Sequence, residues 1–312
     1  MVTGRFAPSP SGHMHLGNVS AALLAWLSAK SQGGEVVLRI EDLDPDRSRR
    51  EYAESIMDDL QWLGLKWDRR AEDQSRRAGA YLAAMEKLKD LIYPCYCSRD
   101  ELRAASAPHT SDGRVIYSGR CRNLSAEQRL AQRKAPCLRI RVPDQSISFV
   151  DGLQGPYTLS LADQWGDFIV RRADGVAAYQ LAVVVDDAAN GVTEVVRGRD
   201  LLSSTPVQIW LYRELGLKMP SFYHTPMLLA ADGRRLSKRD DDCTLQSLRA
   251  SWSPEQVIGL IAWLYGLIDR WEAVSLTDLA KDFSWDKVRR EDILLDMKKV
   301  FGLRYCFFVE NE

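Results

Sequence analysis

The stretch Arg5-Phe6-Ala7-Pro8-Ser9-Pro10-Ser11-Gly12-His13-Met14-His15-Leu16-Gly17-Asn18 decides how the chain begins to fold. Arg5 to Ala7 has the character of a short buried strand, which Pro8 breaks. The segment from Gly17 to Lys30 is rich in Ala and Leu and reads as a largely buried helix. Gly12 and Gly17 let the backbone approach a ligand closely, and a helix starting near Asn18 offers its first N–H groups to an anion. Gly33-Gly34 ends that helix, and Glu35 to Ile40 reads as the next strand. A second helix runs from about Arg47 to Leu63, with Ile56, Leu60 and Leu63 at helical spacing and Gly64 as its stop signal. Strand, helix, strand, helix at these lengths predicts an α/β protein with a parallel sheet and crossover helices. Ligands bind such sheets at the carboxyl ends of the strands.

This regularity stops near Pro94. Residues 95–164 carry several Cys, Arg and Ser and only short extended runs, Cys137 to Val142 and Ser146 to Val150, so they read as an insertion with its own small fold. The pattern returns over residues 165–240. Asp167 to Arg171 is strand-like, Leu181 to Val185 is a buried apolar run ahead of Asp186-Asp187, and Thr193 to Val196 is a further strand. Thr205 to Leu215 is a helix with Pro206 in its first turn. Residues 241–312 read as mostly helical, Pro254 to Tyr265 most clearly.

The 312 residues are long enough to bury a large core and to form more than one domain. A net charge of −1 announces no global attraction to nucleic acid. No apolar run approaches the ~20 residues of a membrane span, and the N-terminus lacks a signal-peptide pattern. Six cysteines spread unevenly over this length do not make a disulfide framework. A soluble cytoplasmic monomer is expected.

Three groups of residues carry the chemistry. Arg235-Leu236-Ser237-Lys238-Arg239 is a second phosphate-handling loop, in which a mobile Lys and a Ser hydroxyl suit a leaving pyrophosphate. Arg5, Glu41 and Arg197 are charged residues at strand ends. Desolvated charges become ion pairs or ligand sites, and composition alone favours the ion pair. In the insertion, Cys95, Cys97 and Cys121 supply three of the four ligands that structural zinc takes. Chemistry alone points to His109 as the fourth, with three thiols packed as small apolar groups as the other reading. Cys137, Cys243 and Cys306 stand alone and read as core or surface residues.

With these motifs together, the chain resembles the class I aminoacyl-tRNA synthetases of the glutamyl type. His15-Leu16-Gly17-Asn18 is similar to their "HIGH" signature, although Asn18 stands where many members have His or Gly. Arg235 to Arg239 is similar to "KMSKS" in its K-L-S-K-R form, with Arg235 in place of the first Lys. The resemblance implies a Rossmann-type sheet. It also implies ATP binding by His15, Gly17, Asn18, Ser237 and Lys238, with His15 and Lys238 catalytic and Mg²⁺ accompanying ATP. The segments around Arg5, Arg39-Ile40-Glu41, Tyr179 to Asp187 and Val196-Arg197-Gly198 are similar to the glutamate pocket. Arg5 and Arg197 would then neutralise substrate carboxylates, Glu41 would take the ammonium, and Ser9 and Tyr179 would line the pocket. Members commonly read Arg-Gly-Glu-Asp where this chain has Arg197-Gly198-Arg199-Asp200, and the sequence assigns Arg199 no role.

Cys95-Tyr96-Cys97 with Tyr117 to Cys121 resembles the zinc site of the shortened paralogues in this family, where Tyr is the fourth ligand. That implies Cys95, Cys97, Tyr117 and Cys121 around one structural Zn²⁺. Only 73 residues follow Arg239, enough for a helical stem-contact region but not for a further anticodon-binding domain. In the shortened paralogues, L-glutamate is activated by ATP without tRNA and passed to queuosine at the first anticodon position of tRNA(Asp). The rival expectations are a glutamyl-tRNA synthetase without its anticodon domain, charging the 3′ end of tRNA(Glu), a small-molecule adenylyltransferase, and a non-catalytic RNA-binding paralogue.

Overall fold

The computed structural model describes residues 1–98, 116–234 and 244–295. Strand β1 (Thr3–Phe6) leads through the Pro-rich loop into helix α1 (Leu16–Ser31), and the chain returns as β2 (Glu35–Leu38). Helix α2 (Arg50–Trp62) then precedes the two-residue strand β3 (Arg69–Arg70). β1, β2 and β3 pair in parallel, as the strand–helix alternation predicts. Helix α1 buries almost its whole circumference, with Leu16, Val19, Leu23, Leu24 and Leu27 at most 1% exposed. Each such side chain contributes roughly 1.5–3 kcal/mol. Burial all round, not amphipathicity, therefore holds this helix against the sheet.

The antiparallel part begins with β4 (Ile92–Cys95). It continues through β5 (Cys137–Ile140), the hairpin β6 (Ser146–Asp151) and β7 (Gly155–Ser160), and β8 (Phe168–Arg171). β4 and β8, which flank the segment 95–164, are the outer strands around β5. The strand-like run at Asp167 to Arg171 thus joins the antiparallel sheet and not the parallel one. The apolar run Leu181 to Val185 lies in a helix, Tyr179–Ala189, with Leu181, Ala182, Val183 and Val184 buried.

Strands β9 (Glu194–Gly198) and β10 (Ser221–Thr225) are parallel neighbours joined across the helix Thr205–Glu214. β9 lies against β1, with Thr193 N donating to Thr3 O at 2.9 Å. Beyond β11 (Leu228–Ala230), the region after residue 243 holds the helices Leu245–Arg249, Pro254–Leu264 and Leu276–Lys281. Its last described element is β12 (Ile293–Leu295), which pairs in parallel with β11. Helical periodicity gave no sign of that strand, because three residues are too short to show a period. The helix Pro254–Leu264 starts on a capping box, Ser253 with Gln256, and closes the core beneath α1. None of the described helices is long and apolar enough to cross a membrane.

Candidate active site

A cavity of about 1020 Å³ lies at the carboxyl ends of β1, β9 and β10, lined by Arg5, Ser9, His15, Gly17, Asn18, Glu41, Tyr179 and Arg197. Every described residue expected to bind ATP or glutamate therefore borders one space. Ser237 and Lys238 lie outside the described residues, as do Arg235 and His109. Thr244, which follows that loop, forms an isolated backbone bridge with His15, and Leu245 N donates to Met14 O at 2.9 Å. Residues 244 and 245 are thus held beside the first loop.

The ion-pair reading holds for one of the three strand-end charges, fails for another, and is intermediate for the third. Glu41 accepts from Arg39 Nη2 at 2.8 Å. Burial raises the Glu41 pKa, and the Arg39 charge only partly opposes this. Arg39 is 1% exposed and also donates from Nη1 to Asp187 at 2.5 Å. Arg5 donates from Nη1 to Val196 O at 2.8 Å, while its Nε sits 3.7 Å from Asp187 without a hydrogen-bond partner. Arg197 is 6% exposed, and among the described residues no carboxylate lies within ion-pair distance of it. Its bonds go to neutral acceptors, from Nε to His224 Nε2 at 3.0 Å and from Nη2 to Thr205 Oγ1 at 2.8 Å. A buried guanidinium without a counter-ion on a cavity wall is a site for an anion.

Asp186 and Asp187 hold cations behind the pocket. Asp186 is fully buried and accepts from Gln74, from Arg77 Nε at 2.6 Å and from Tyr81 Oη at 2.8 Å. The two acids sit at the end of an apolar helical run, so burial makes cationic partners obligatory. That sequence signal was available for Asp187 and Arg39. His224 had none, since it becomes Arg197's neighbour only through the β9–β10 register.

His15 precedes α1, and burial lowers its pKa although the nearby Asp200 charge opposes that. Its Nδ1 is buried without a hydrogen-bond partner. A Cβ on Gly17 would stand 3.1 Å from the His15 ring, so the glycine makes room for the imidazole. His13 also borders the cavity and packs edge-on against Tyr52 with ring centroids 5.0 Å apart. Arg199, unassigned from sequence, pairs with Asp292 at 2.9 Å. Asp292 also accepts from Met227 N at 2.8 Å, so this departure ties β12 to the loop bordering the cavity.

In the antiparallel part, the sulfur atoms of Cys95, Cys97 and Cys121 lie within 4.8 Å of one another. The Cys97 and Cys121 sulfurs are 3.6 Å apart, and Tyr117 Oη is 3.5 Å from Cys95 Sγ and 4.0 Å from Cys97 Sγ. For Zn–S of about 2.3 Å, a tetrahedral edge is about 3.8 Å, and about 3.5 Å to an oxygen ligand. The four donors therefore fit a zinc ion. The neighbouring Cys137 thiol, helped by Tyr117 and Arg139, pulls the Cys95 pKa down, whereas burial and Cys121 raise that of Cys97. A second thiolate here needs a cation beside it. Cys137 is not isolated: it faces Cys95 across β4 and β5 and donates to the Cys95 carbonyl at 3.4 Å.

Comparison with known proteins agrees with this geometry. The family of class I tRNA synthetases for glutamate and glutamine, catalytic domain, matches residues 1–294. The chain belongs to this family. It is 48% identical over 320 residues to a protein of Symbiobacterium thermophilum named glutamyl-Q tRNA(Asp) synthetase, covering 97% of this chain and 98% of that one. A protein of the same name from Nitratidesulfovibrio vulgaris is 50% identical over 283 residues, covering 86% of this chain and 87% of the relative. Among solved structures, a glutamate tRNA ligase from Elizabethkingia meningosepticum in complex with its amino acid superposes with a TM-score of 0.82 at 28% identity. That match covers 97% of this chain and 69% of the ligase. The α/β architecture is thus the class I synthetase fold.

Proposed function

We propose that this synthetase activates L-glutamate with ATP, without tRNA, and transfers the glutamyl group to queuosine at the first anticodon position of tRNA(Asp). The observation that carries the reading is Arg197, a buried cation without a described carboxylate partner, on the cavity that His15 and Gly17 also line. Two guanidinium groups, Arg5 and Arg197, against the single acid Glu41 suit an amino acid with an extra carboxylate. The shared name of the two relatives supports queuosine-bearing tRNA(Asp) as the acceptor.

In the first step a glutamate carboxylate oxygen attacks the α-phosphorus of ATP and the bond to the β-phosphate breaks, giving glutamyl-adenylate and pyrophosphate. Positioning and charge stabilisation do this work, without a protein nucleophile. Glu41, held by Arg39, receives the substrate ammonium, and Ser9 and Tyr179 line the polar wall. His15, neutral because burial lowers its pKa, offers a hydrogen bond to the phosphates. Gly17 and Asn18 bring the start of α1 to the nucleotide. Lys238 and Ser237 share the charge on pyrophosphate with the Mg²⁺ that accompanies ATP. In the second step a queuosine hydroxyl attacks the activated carbonyl and AMP leaves. Cys95, Cys97, Tyr117 and Cys121 would hold one zinc ion, which would staple β4 to the segment 116–121.

The test is glutamylation of queuosine-containing tRNA(Asp) and of tRNA(Glu) with ATP and labelled glutamate. Label is expected on the anticodon fragment of tRNA(Asp). Label at the 3′ end of tRNA(Glu) would overturn the acceptor and make the chain an ordinary glutamyl-tRNA synthetase.

A further inference from the structure

Arg197 is the glutamate-binding cation of the proposed function, and its orientation is set by groups that never reach the cavity floor. His224 lies opposite Arg197 in the β9–β10 register, wholly buried. Its Nδ1 is 2.5 Å from Asp151 Oδ2, and its Nε2 is 3.0 Å from Arg197 Nε. Asp151 comes from the end of β6, in the antiparallel part of the molecule.

Donor and acceptor rules leave one proton arrangement. The Arg197 Nε–H only donates, so the His224 Nε2 facing it is bare and accepts. Neutral imidazole then carries its proton on Nδ1, and that proton goes to the Asp151 carboxylate. Burial, against the Asp151 hydrogen bond, pushes the His224 pKa down to about 4, so the ring is neutral at pH 7. Asp151 is itself locked: Oδ1 accepts from the backbone N–H groups of Leu153, Gln154 and His224 at 3.0, 2.9 and 3.1 Å. Only Oδ2 is available to the ring.

We infer that Asp151 and His224 form a positioning relay that fixes the Arg197 guanidinium for the substrate carboxylate. With Nε on His224 and Nη2 on Thr205, both ends of the guanidinium are held, and three of its five N–H donors remain for a ligand. Free rotation would let Arg197 meet carboxylates of various lengths and angles. A fixed plane admits one geometry, so the relay is a determinant of amino-acid specificity as well as of affinity.

The decisive variant is Asp151→Asn. Its oxygen must stay on the three backbone N–H groups, which places the new NH₂ against His224 Nδ1. The ring then accepts at Nδ1 and carries its proton on Nε2, pointing a donor at the Arg197 donor. His224→Phe keeps a ring and removes the acceptor. Both variants are measured by tRNA-independent pyrophosphate exchange beside Arg197→Ala. Each is expected to raise the KM for glutamate about ten- to hundredfold, as for a lost hydrogen bond to a charged group, with the KM for ATP unchanged. The double variant is expected to be no worse than the more damaging single one, because both act through one bond.

An increase for Arg197→Ala alone, with the other two variants like wild type, overturns the relay while leaving the glutamate pocket standing. An unchanged glutamate KM in Arg197→Ala removes Arg197 from the pocket and the relay with it. Nitrogen NMR of the unmodified protein gives a readout independent of variant folding. The His224 ring is expected protonated on Nδ1 at pH 7, and a proton on Nε2 or on both nitrogens overturns the inference.

Discussion

Replacing Arg39 by Leu tests how the pocket's acids are held. Arg39 is 1% exposed and stands between Asp187 at 2.5 Å, Glu41 at 2.8 Å and Asp186 at 4.0 Å. At an effective dielectric constant of about 20, unit charges 4 Å apart attract by roughly 4 kcal/mol. Desolvation of the guanidinium offsets part of that attraction. Removing one member of a buried charge set nevertheless costs about 3–5 kcal/mol, because the remaining charges lose their compensation. Asp187 keeps Arg5 at 3.7 Å and Asp186 keeps Arg77 at 2.6 Å. Glu41 has no other ion pair among the described residues, so the loss concentrates there.

The Glu41 pKa, already raised by burial, would rise further in Arg39→Leu. A carboxylate whose folded pKa exceeds its unfolded value loses stability as pH increases, since the folded state must give up a bound proton. The variant's deficit should therefore be larger at pH 8 than at pH 6. Urea unfolding followed by Trp fluorescence at the two values measures it. A deficit below about 1 kcal/mol, or one equal at both pH values, would falsify the account of Arg39 as the cation that holds Glu41 ionised.

Other outcomes follow from the same geometry. Lys238→Ala should abolish pyrophosphate exchange while glutamate binding, measured calorimetrically, survives, and an unchanged exchange rate removes Lys238 from the chemistry. The protein as purified should contain one zinc per chain by metal analysis. Cys97→Ser should lose it and His109→Ala should retain it, and zinc loss in the latter would move the fourth ligand from Tyr117 to His109. Stability should fall as pH drops from about 6.5 toward 4. The buried His224 has a folded pKa below its unfolded one, so protons favour the unfolded state across that window, worth roughly 3 kcal/mol. Asp151 acts in the same direction. Burial would raise its pKa, but the bonds from His224 lower it on balance, so its contribution is also lost in acid. A thermal melting temperature constant from pH 7 to pH 4.5 would contradict this.

Much of the site was legible because its chemistry is written in short contiguous motifs. His15-Leu16-Gly17-Asn18 and the Arg5, Glu41, Tyr179 and Arg197 segments each sit where a strand ends or a helix begins, and those ends are readable from local pattern. The candidate metal site was legible as a set of thiols, while the choice of Tyr117 rested on family resemblance. Its hydroxyl lies 3.5 Å from the Cys95 sulfur and 4.0 Å from the Cys97 sulfur. The Asp167–Arg171 strand joined the other sheet because local propensity says that a segment is extended, not which neighbour it pairs with. Arg199 had no meaning until Asp292 was beside it.

The sequence by itself determined the parallel α/β core, the synthetase family and the residues that border the cavity, since each depends on local periodicity or on motifs within a few residues. Only the tertiary structure decided which charges are satisfied. Arg39 and Glu41 are two residues apart, but Asp187 reaches Arg39 from 148 positions away, and Asp151 reaches His224 from 73. Solvation explains the division. A charge in an unfolded chain is hydrated whatever its sequence neighbours, and its need for a partner arises only when folding removes the water.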